Sequence, residues 1–178
     1  RALTLYQLQQ VDSQLDELKA RLAEVEARLT ESPALRQARA DVAAREQRLR
    51  ELQRRQRDLE DSIEDLAAKI KELDDKLYSG KVTNPKELDG YYQEQLQLKA
   101  RQRQLEDQML EVMLALEAAA AELAEARRRL AEVEGQWREE QDRLEQERES
   151  LRARIDELSR ERAQIAARVD RLDLAVYE

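Results

Sequence analysis

The 178-residue sequence contains no cysteine, histidine or phenylalanine, and it has only three glycines and two prolines. Without cysteine or histidine, the usual zinc and haem sites, thiol nucleophiles and disulfides are excluded. The chain is only 3% aromatic, so it lacks the bulk typical of a compact globule. No apolar run approaches the roughly twenty residues of a membrane-spanning helix, and no signal peptide opens the chain. We therefore expect no contact with a membrane and a cytoplasmic location.

Charged residues are abundant, at 40% of the chain, with a net charge of −8. An acidic chain disfavours unspecific binding to nucleic acid. Carboxylates on a solvated helix lack the pocket that would shift their pKa, and no phosphate-binding loop or nucleophile motif is present. We expect that the protein is not an enzyme and that this chain holds no cofactor.

Apolar residues follow a heptad repeat along two arms, which predicts an all-α fold. The seam of arm one (residues 3–78) comprises Leu8, Val11, Leu15, Leu18, Leu22, Val25, Leu29, Leu35, Ala38, Val42, Leu49, Leu52, Gln56, Leu59, Ile63, Leu66, Ile70, Leu73 and Leu77. The seam of arm two (residues 85–178) comprises Leu88, Tyr91, Gln95, Leu98, Gln102, Leu105, Met109, Val112, Leu116, Ala119, Leu123, Ala126, Leu130, Val133, Trp137, Leu144, Leu151, Ile155, Leu158, Ile165, Val169, Leu172 and Val176.

The seam of arm one skips one residue at Ser32-Pro33. Ser32 can cap a helix and Pro33 can open one, so we expect a kink or short break there. If the arms fold back antiparallel, Val42 pairs with Leu123 and Ile70 pairs with Gln95. Before the break, the register of the pairing changes by one residue. The pairs there are Leu22 with Leu144, Val11 with Ile155 and Leu29 with Trp137. The sequence therefore predicts a long antiparallel two-helix coiled-coil hairpin with a kinked first arm, in which Trp137 fills the space beside the break.

Residues 79–84 form the only good turn between the arms. Gly80 can end the first helix in the left-handed conformation, and Pro85 suits the first turn of the next helix. Asn84 is the predicted N-cap, and its side chain is expected to bond the N3 amide, which belongs to Glu87. The Glu87 carboxylate is expected to reach back toward Asn84. Turn chemistry does not explain every group at this exposed end, and we predict a partner-binding tip made of Tyr78, Ser79, Gly80, Lys81, Val82, Asn84, Pro85 and Lys86.

Opposite charges flank the seam. Residues 39–57 carry seven arginines and a net charge of +4, whereas the facing residues 108–126 carry a net charge of −4. We expect the facing glutamates to form ion pairs with some of these arginines. A nucleic-acid contact would use the arginines that stay free, namely Arg48, Arg50, Arg54, Arg55 and Arg57.

The tip sequence from Tyr78 to Leu88, with Leu98-Lys99 and Leu105-Glu106-Asp107 after it, resembles that of bacterial zinc-ribbon proteins with an N-terminal coiled-coil hairpin. The opening segment from Leu5 to Leu18 is similar as well. The resemblance implies a ribbon with two Cys-pair motifs beyond Glu178, absent from this chain, and zinc only in that ribbon. It also implies an adaptor or chaperone-like role, since some relatives bind the alternative sigma factor of the nitrogen and flagellar type, or flagellar or secretion components, and others are regarded as nucleic-acid-binding proteins.

Three functional hypotheses follow. The first is a protein-binding adaptor that uses the tip, and the second is a nucleic-acid-binding protein that uses the arginines and the missing ribbon. The third is a spacer or oligomerisation rod. Arm two is longer than arm one, so we expect its last seam residues to lack an intrachain partner and to support a homodimer; these are Ile165, Val169, Leu172 and Val176. Because the chain starts with Arg1, we expect it to be a piece of a longer protein.

Overall fold

The computed structural model describes residues 2–30, 32–169 and 175–178, and three long helices lie within them. The helices are α1 (Ala2–Arg28), α2 (Pro33–Tyr78) and α3 (Pro85–Arg168). No strand occurs among the described residues. The predicted all-α coiled-coil hairpin is therefore confirmed, with the first arm interrupted between α1 and α2.

The core is the predicted seam. Every residue that is buried in the described part of the chain lies at one of the predicted seam positions. The reason is geometric, because residues spaced alternately three and four apart share one face of a helix and only that face meets another helix. The buried residues are Leu8, Val11, Leu15, Val25, Leu35, Ala38, Val42, Leu52, Leu59, Leu73, Gln95, Leu105, Val112, Ala119, Leu123, Ala126, Leu144, Leu151 and Leu158.

The chain divides into two compact units. The first, which we call the open-end unit, comprises Arg1–Gln37 and Ala131–Glu178. In it α1 packs antiparallel against the later part of α3. Val11 shares a cluster with Ile155, and Leu22 packs against the cluster that contains Leu144, so these predicted partners lie together.

The second unit, which we call the tip unit, comprises Ala38–Leu130. In it α2 packs against the earlier part of α3, and Val42 clusters with Leu123 as predicted. Gln95 is the one polar residue among the buried ones that the structure describes, at 3% exposure. Its Nε2 donates to the Ile70 carbonyl at 3.3 Å and to the Asp74 carboxylate, so burial does not leave the amide nitrogen unsatisfied.

Candidate functional site

The first half of the turn at the tip has the structure that the sequence predicts. Helix α2 ends at Tyr78, and Gly80 has a φ of 76°. The Ser79 amide donates to the Asp75 carbonyl at 3.0 Å. Glycine takes this left-handed conformation without the steric cost that a Cβ atom would bring, so the helix stops here.

Asn84 caps the start of α3, with one difference from the prediction. Its side-chain oxygen accepts a hydrogen bond from the Lys86 amide at 3.0 Å, so it bonds the N2 amide, and the expected bond to the N3 amide of Glu87 is wrong. Both amides are orphan donors of the first turn, and an N-cap oxygen can satisfy either. Pro85 occupies the first helical position, as predicted.

The predicted tip residues are exposed to solvent except for Val82, which is half-buried. Tyr78 has 77% of its surface exposed, although it is the largest side chain of the group. Beside it lies a shallow pocket lined by Asp74, Asp75, Tyr78 and Ser79. The end of α2 therefore offers an aromatic ring and two carboxylates beside a turn whose backbone is fixed at both ends.

The five predicted nucleic-acid contacts, Arg48, Arg50, Arg54, Arg55 and Arg57, are all exposed. Charge pairing across the seam occurs at a different arginine, since Arg45 bonds Glu122 at 2.6 Å. Arg55 donates to the amide oxygen of Gln108 at 3.0 Å. Within the described residues, no ion pair joins any of the five to a carboxylate, so their charges are not neutralised by direct contacts.

The break between α1 and α2 is closed by side chains from α3. The Ser32 hydroxyl accepts from the Leu35 amide at 3.0 Å, which confirms the predicted cap. Trp137 Nε1 donates to the Thr30 carbonyl at 3.3 Å, and Gln141 Nε2 donates to the Arg28 carbonyl at 3.1 Å. Trp137 thus lies beside the break as predicted, and carbonyls freed by the end of α1 find donors.

The end of the chain corrects the expectation of an uncovered stripe. Ile165 packs against the cluster of Val11, Leu15 and Leu158, so its predicted lack of an intrachain partner is wrong. Val169 is half-buried and Val176 is 89% exposed. Leu172 lies outside the described residues.

Polar contacts also join the chain end to α1. The Tyr177 hydroxyl donates to Asp12 at 2.6 Å, and Arg162 bridges Asp12 at 2.6 Å and Glu178 at 2.8 Å. Partial burial would raise the pKa of the Asp12 carboxyl, but the hydrogen bonds from Tyr177 and Arg162 outweigh it and hold that pKa below its usual value. The same bond to Asp12 raises the pKa of the Tyr177 hydroxyl.

One exposed apolar surface of α3 lies outside the heptad seam and was not predicted. Leu110, Met113 and Leu114 of α3 are 60%, 50% and 68% exposed. We call these three residues the outer patch. The sequence carries a signal for it, because residues 109–116 include a single charged residue, Glu111, whereas a seam of two apolar positions per heptad would leave more polar residues in such a stretch.

Paired helices with a capped turn and a heptad seam define the chain as an antiparallel coiled-coil hairpin. A family model of the CT398-like coiled coil hairpin domain matches residues 8–178, and the chain belongs to that family. The comparison with curated proteins gave no match, and neither did the comparison with solved structures.

Two further properties concern the described residues alone. Their helices include none that is long and apolar enough to cross a membrane. They also contain no group of three or more histidine, cysteine, aspartate or glutamate side chains placed to hold a metal ion.

Proposed function

We propose that this chain is a non-enzymatic, protein-binding hairpin that presents its tip to a protein partner. The observation that carries the proposal is the 77% exposure of Tyr78 at the end of α2, next to a turn with a fixed backbone. Aromatic side chains supply much of the contact energy of protein interfaces. A large ring left in solvent at the end of a helix contributes little to the fold itself.

The two caps that follow Tyr78 support the same role. Gly80 and Asn84 fix where α2 stops and where α3 starts, so the side chains between them project from a turn of defined shape. A preorganised surface loses less conformational entropy when a partner binds. Lys81 adds an exposed positive charge to the turn that follows the carboxylates of Asp74 and Asp75.

The resemblance to hairpin proteins that bind an alternative sigma factor suggests the partner to test first. We propose the alternative sigma factor of the nitrogen and flagellar type from the same organism, or a flagellar or secretion component, with the hairpin acting as an adaptor or chaperone-like protein. The chain would bind such a partner without changing it chemically.

The test compares the affinity of this sigma factor for the chain and for Tyr78→Ala/Lys81→Ala, measured by isothermal titration calorimetry. A matched control, Tyr6→Ala/Lys19→Ala, removes one exposed tyrosine and one exposed lysine from α1. We expect the tip variant to bind at least about tenfold more weakly, since exposed anchors of this type dominate interfaces. We expect both variants to keep the helicity and melting temperature of the original chain.

Unchanged affinity of the tip variant would overturn the proposal that the tip is the binding site. Equal loss in the control variant would point to binding along the helices instead. Absence of any binding to the sigma factor would reject that partner, and the same titration with flagellar and secretion components would then decide the adaptor role.

A further inference from the structure

We propose that the outer patch of α3 binds an amphipathic, basic helix of a partner protein. This surface is separate from the tip, and the inference does not depend on the function proposed for the tip. Leu110, Met113 and Leu114 stand at positions i, i+3 and i+4 of α3, which is the spacing by which one helix presents anchors to another.

The position of the outer patch excludes a role in the hairpin seam. At 100° per residue its centre lies about 140° around α3 from the seam residues Leu105, Val112 and Leu123. Those three are buried, with exposures of 6%, 9% and 4%. α3 therefore has one apolar face against α2 and a second apolar face in solvent, which is uncommon for a solvated helix and typical of a binding surface.

The charge around the outer patch defines the partner. Between residues 104 and 126 the chain has six carboxylates and no lysine or arginine. Glu106 and Glu117 lie on the same side of α3 as the patch, both are exposed, and no ion pair among the described residues uses either of them. An apolar centre with an acidic rim complements a helix whose apolar stripe is flanked by lysine and arginine.

A second copy of the chain fits this surface poorly. A two-fold contact between two outer patches would set the carboxylates of one copy against those of the other, which is unfavourable. Residues 39–57 of α2, with a net charge of +4, could offer opposite charge. However, Tyr78, at the last position of α2, is the only large apolar residue of that helix that is exposed in the described structure. Helix α2 therefore lacks an apolar stripe that could cover the outer patch.

The test uses a fluorescent synthetic peptide of about twenty residues, long enough for several helical turns, with leucines at i, i+3, i+4 and i+7 and lysines on both flanks. A matched peptide carries glutamate in place of each lysine. Affinity is measured by fluorescence anisotropy for the original chain, for Leu110→Ala/Leu114→Ala and for the control Leu3→Ala, which shortens a leucine of α1 that is 70% exposed.

We expect the basic peptide to bind and the acidic peptide to bind at least about tenfold more weakly, because only the first complements the rim. Leu110→Ala/Leu114→Ala should weaken binding about tenfold or more, as two leucine contacts are lost, while Leu3→Ala binds normally. Glu106→Gln/Glu117→Gln should reduce affinity about threefold and lessen its salt dependence. All three variants should melt like the original chain, because these side chains are exposed.

Unchanged binding by Leu110→Ala/Leu114→Ala, or equal binding of the two peptides, would overturn the proposal. Sedimentation that shows a dimer of the original chain and a monomer of this variant would instead assign the patch to a second copy, and would also overturn it. The tip variant Tyr78→Ala/Lys81→Ala should bind the basic peptide normally, so failure here and failure of the tip proposal can be told apart.

Discussion

The break after α1 and the turn at the tip share the same capping chemistry but serve different purposes. Each joins two helices, and each restarts the chain with a capping residue followed by proline, Ser32-Pro33 in one case and Asn84-Pro85 in the other. They differ in what surrounds them. Trp137 from α3 covers the break, whereas Tyr78 at the tip is exposed to solvent.

This comparison shows that capping chemistry decides where a helix starts but not what the interruption is used for. The use depends on the opposite helix. At the break, side-chain donors of Trp137 and Gln141 satisfy carbonyls at the end of α1, so contacts with α3 cover the interruption. At the tip no such side chain covers the turn in the described structure, and its groups remain available for binding.

The largest expected effect comes from removing the cover of the break. Trp137→Ala should lower the free energy of unfolding by about 2 kcal/mol, because a half-buried indole loses its packing and leaves a cavity. The companion change Tyr78→Ala at the tip should alter it by less than about 0.5 kcal/mol, as for other exposed positions. Urea denaturation followed by circular dichroism measures both.

Trp137→Phe serves as the control for this prediction, since it keeps an aromatic ring and removes only the donor to Thr30. It should cost less than Trp137→Ala. If Trp137→Ala and Tyr78→Ala had equal effects, the contrast between a covered and an uncovered interruption would be wrong.

A smaller effect is expected from the left-handed residue of the tip. Gly80→Ala should destabilise the chain by about 1 kcal/mol, because a Cβ atom is strained at a φ of 76°. Gly90→Ala is the matched control, since Gly90 lies within α3 where an added methyl group would meet only open space, and alanine there should stabilise by about 0.5 to 1 kcal/mol. Thermal melts of the two variants should therefore shift in opposite directions; shifts in the same direction would contradict the assigned role of Gly80.

The smallest effects should come from the two caps. Ser32→Ala and Asn84→Ala should each cost about 0.5 to 1 kcal/mol, since each removes one bond to an orphan amide. Hydrogen exchange locates the change, at the Leu35 amide in the first variant and at the Lys86 amide in the second. Ser32→Asp and Asn84→Asp keep a capping oxygen and should restore protection; unaltered exchange in the alanine variants would show that the caps are dispensable.

Much of the fold could be predicted because the heptad pattern determines which face of a helix is buried. The seam also predicted which residues meet across the hairpin, since Val42 clusters with Leu123 and Leu22 packs against the cluster that contains Leu144. The cap at Ser32 and the left-handed Gly80 were predictable for a similar reason, since both follow from the backbone needs of single residues.

Other features depend on the tertiary arrangement and could not be predicted from local rules. The seam identifies the residues that face the opposite arm, so Leu110, with its neighbours in the outer patch, fell outside it. Ile165 was expected to be uncovered because arm one had no residue left to pair with it, yet it packs against side chains from the next turns of the seam. The bond from Tyr177 to Asp12 joins residues far apart in sequence, and no periodicity predicts it.

The buried amide of Gln95 also restricts how the two arms of the tip unit can slide past each other. A leucine at this position would pack nearly as well if the arms moved by one heptad, since one apolar layer resembles the next. Gln95 meets the Ile70 carbonyl and Asp74 in only one alignment. In a shifted alignment its amide would lie among apolar side chains without those acceptors, at a cost of about 1 to 3 kcal/mol. A polar residue that adds little to core packing thus makes one alignment of two repetitive helices more stable than its neighbours.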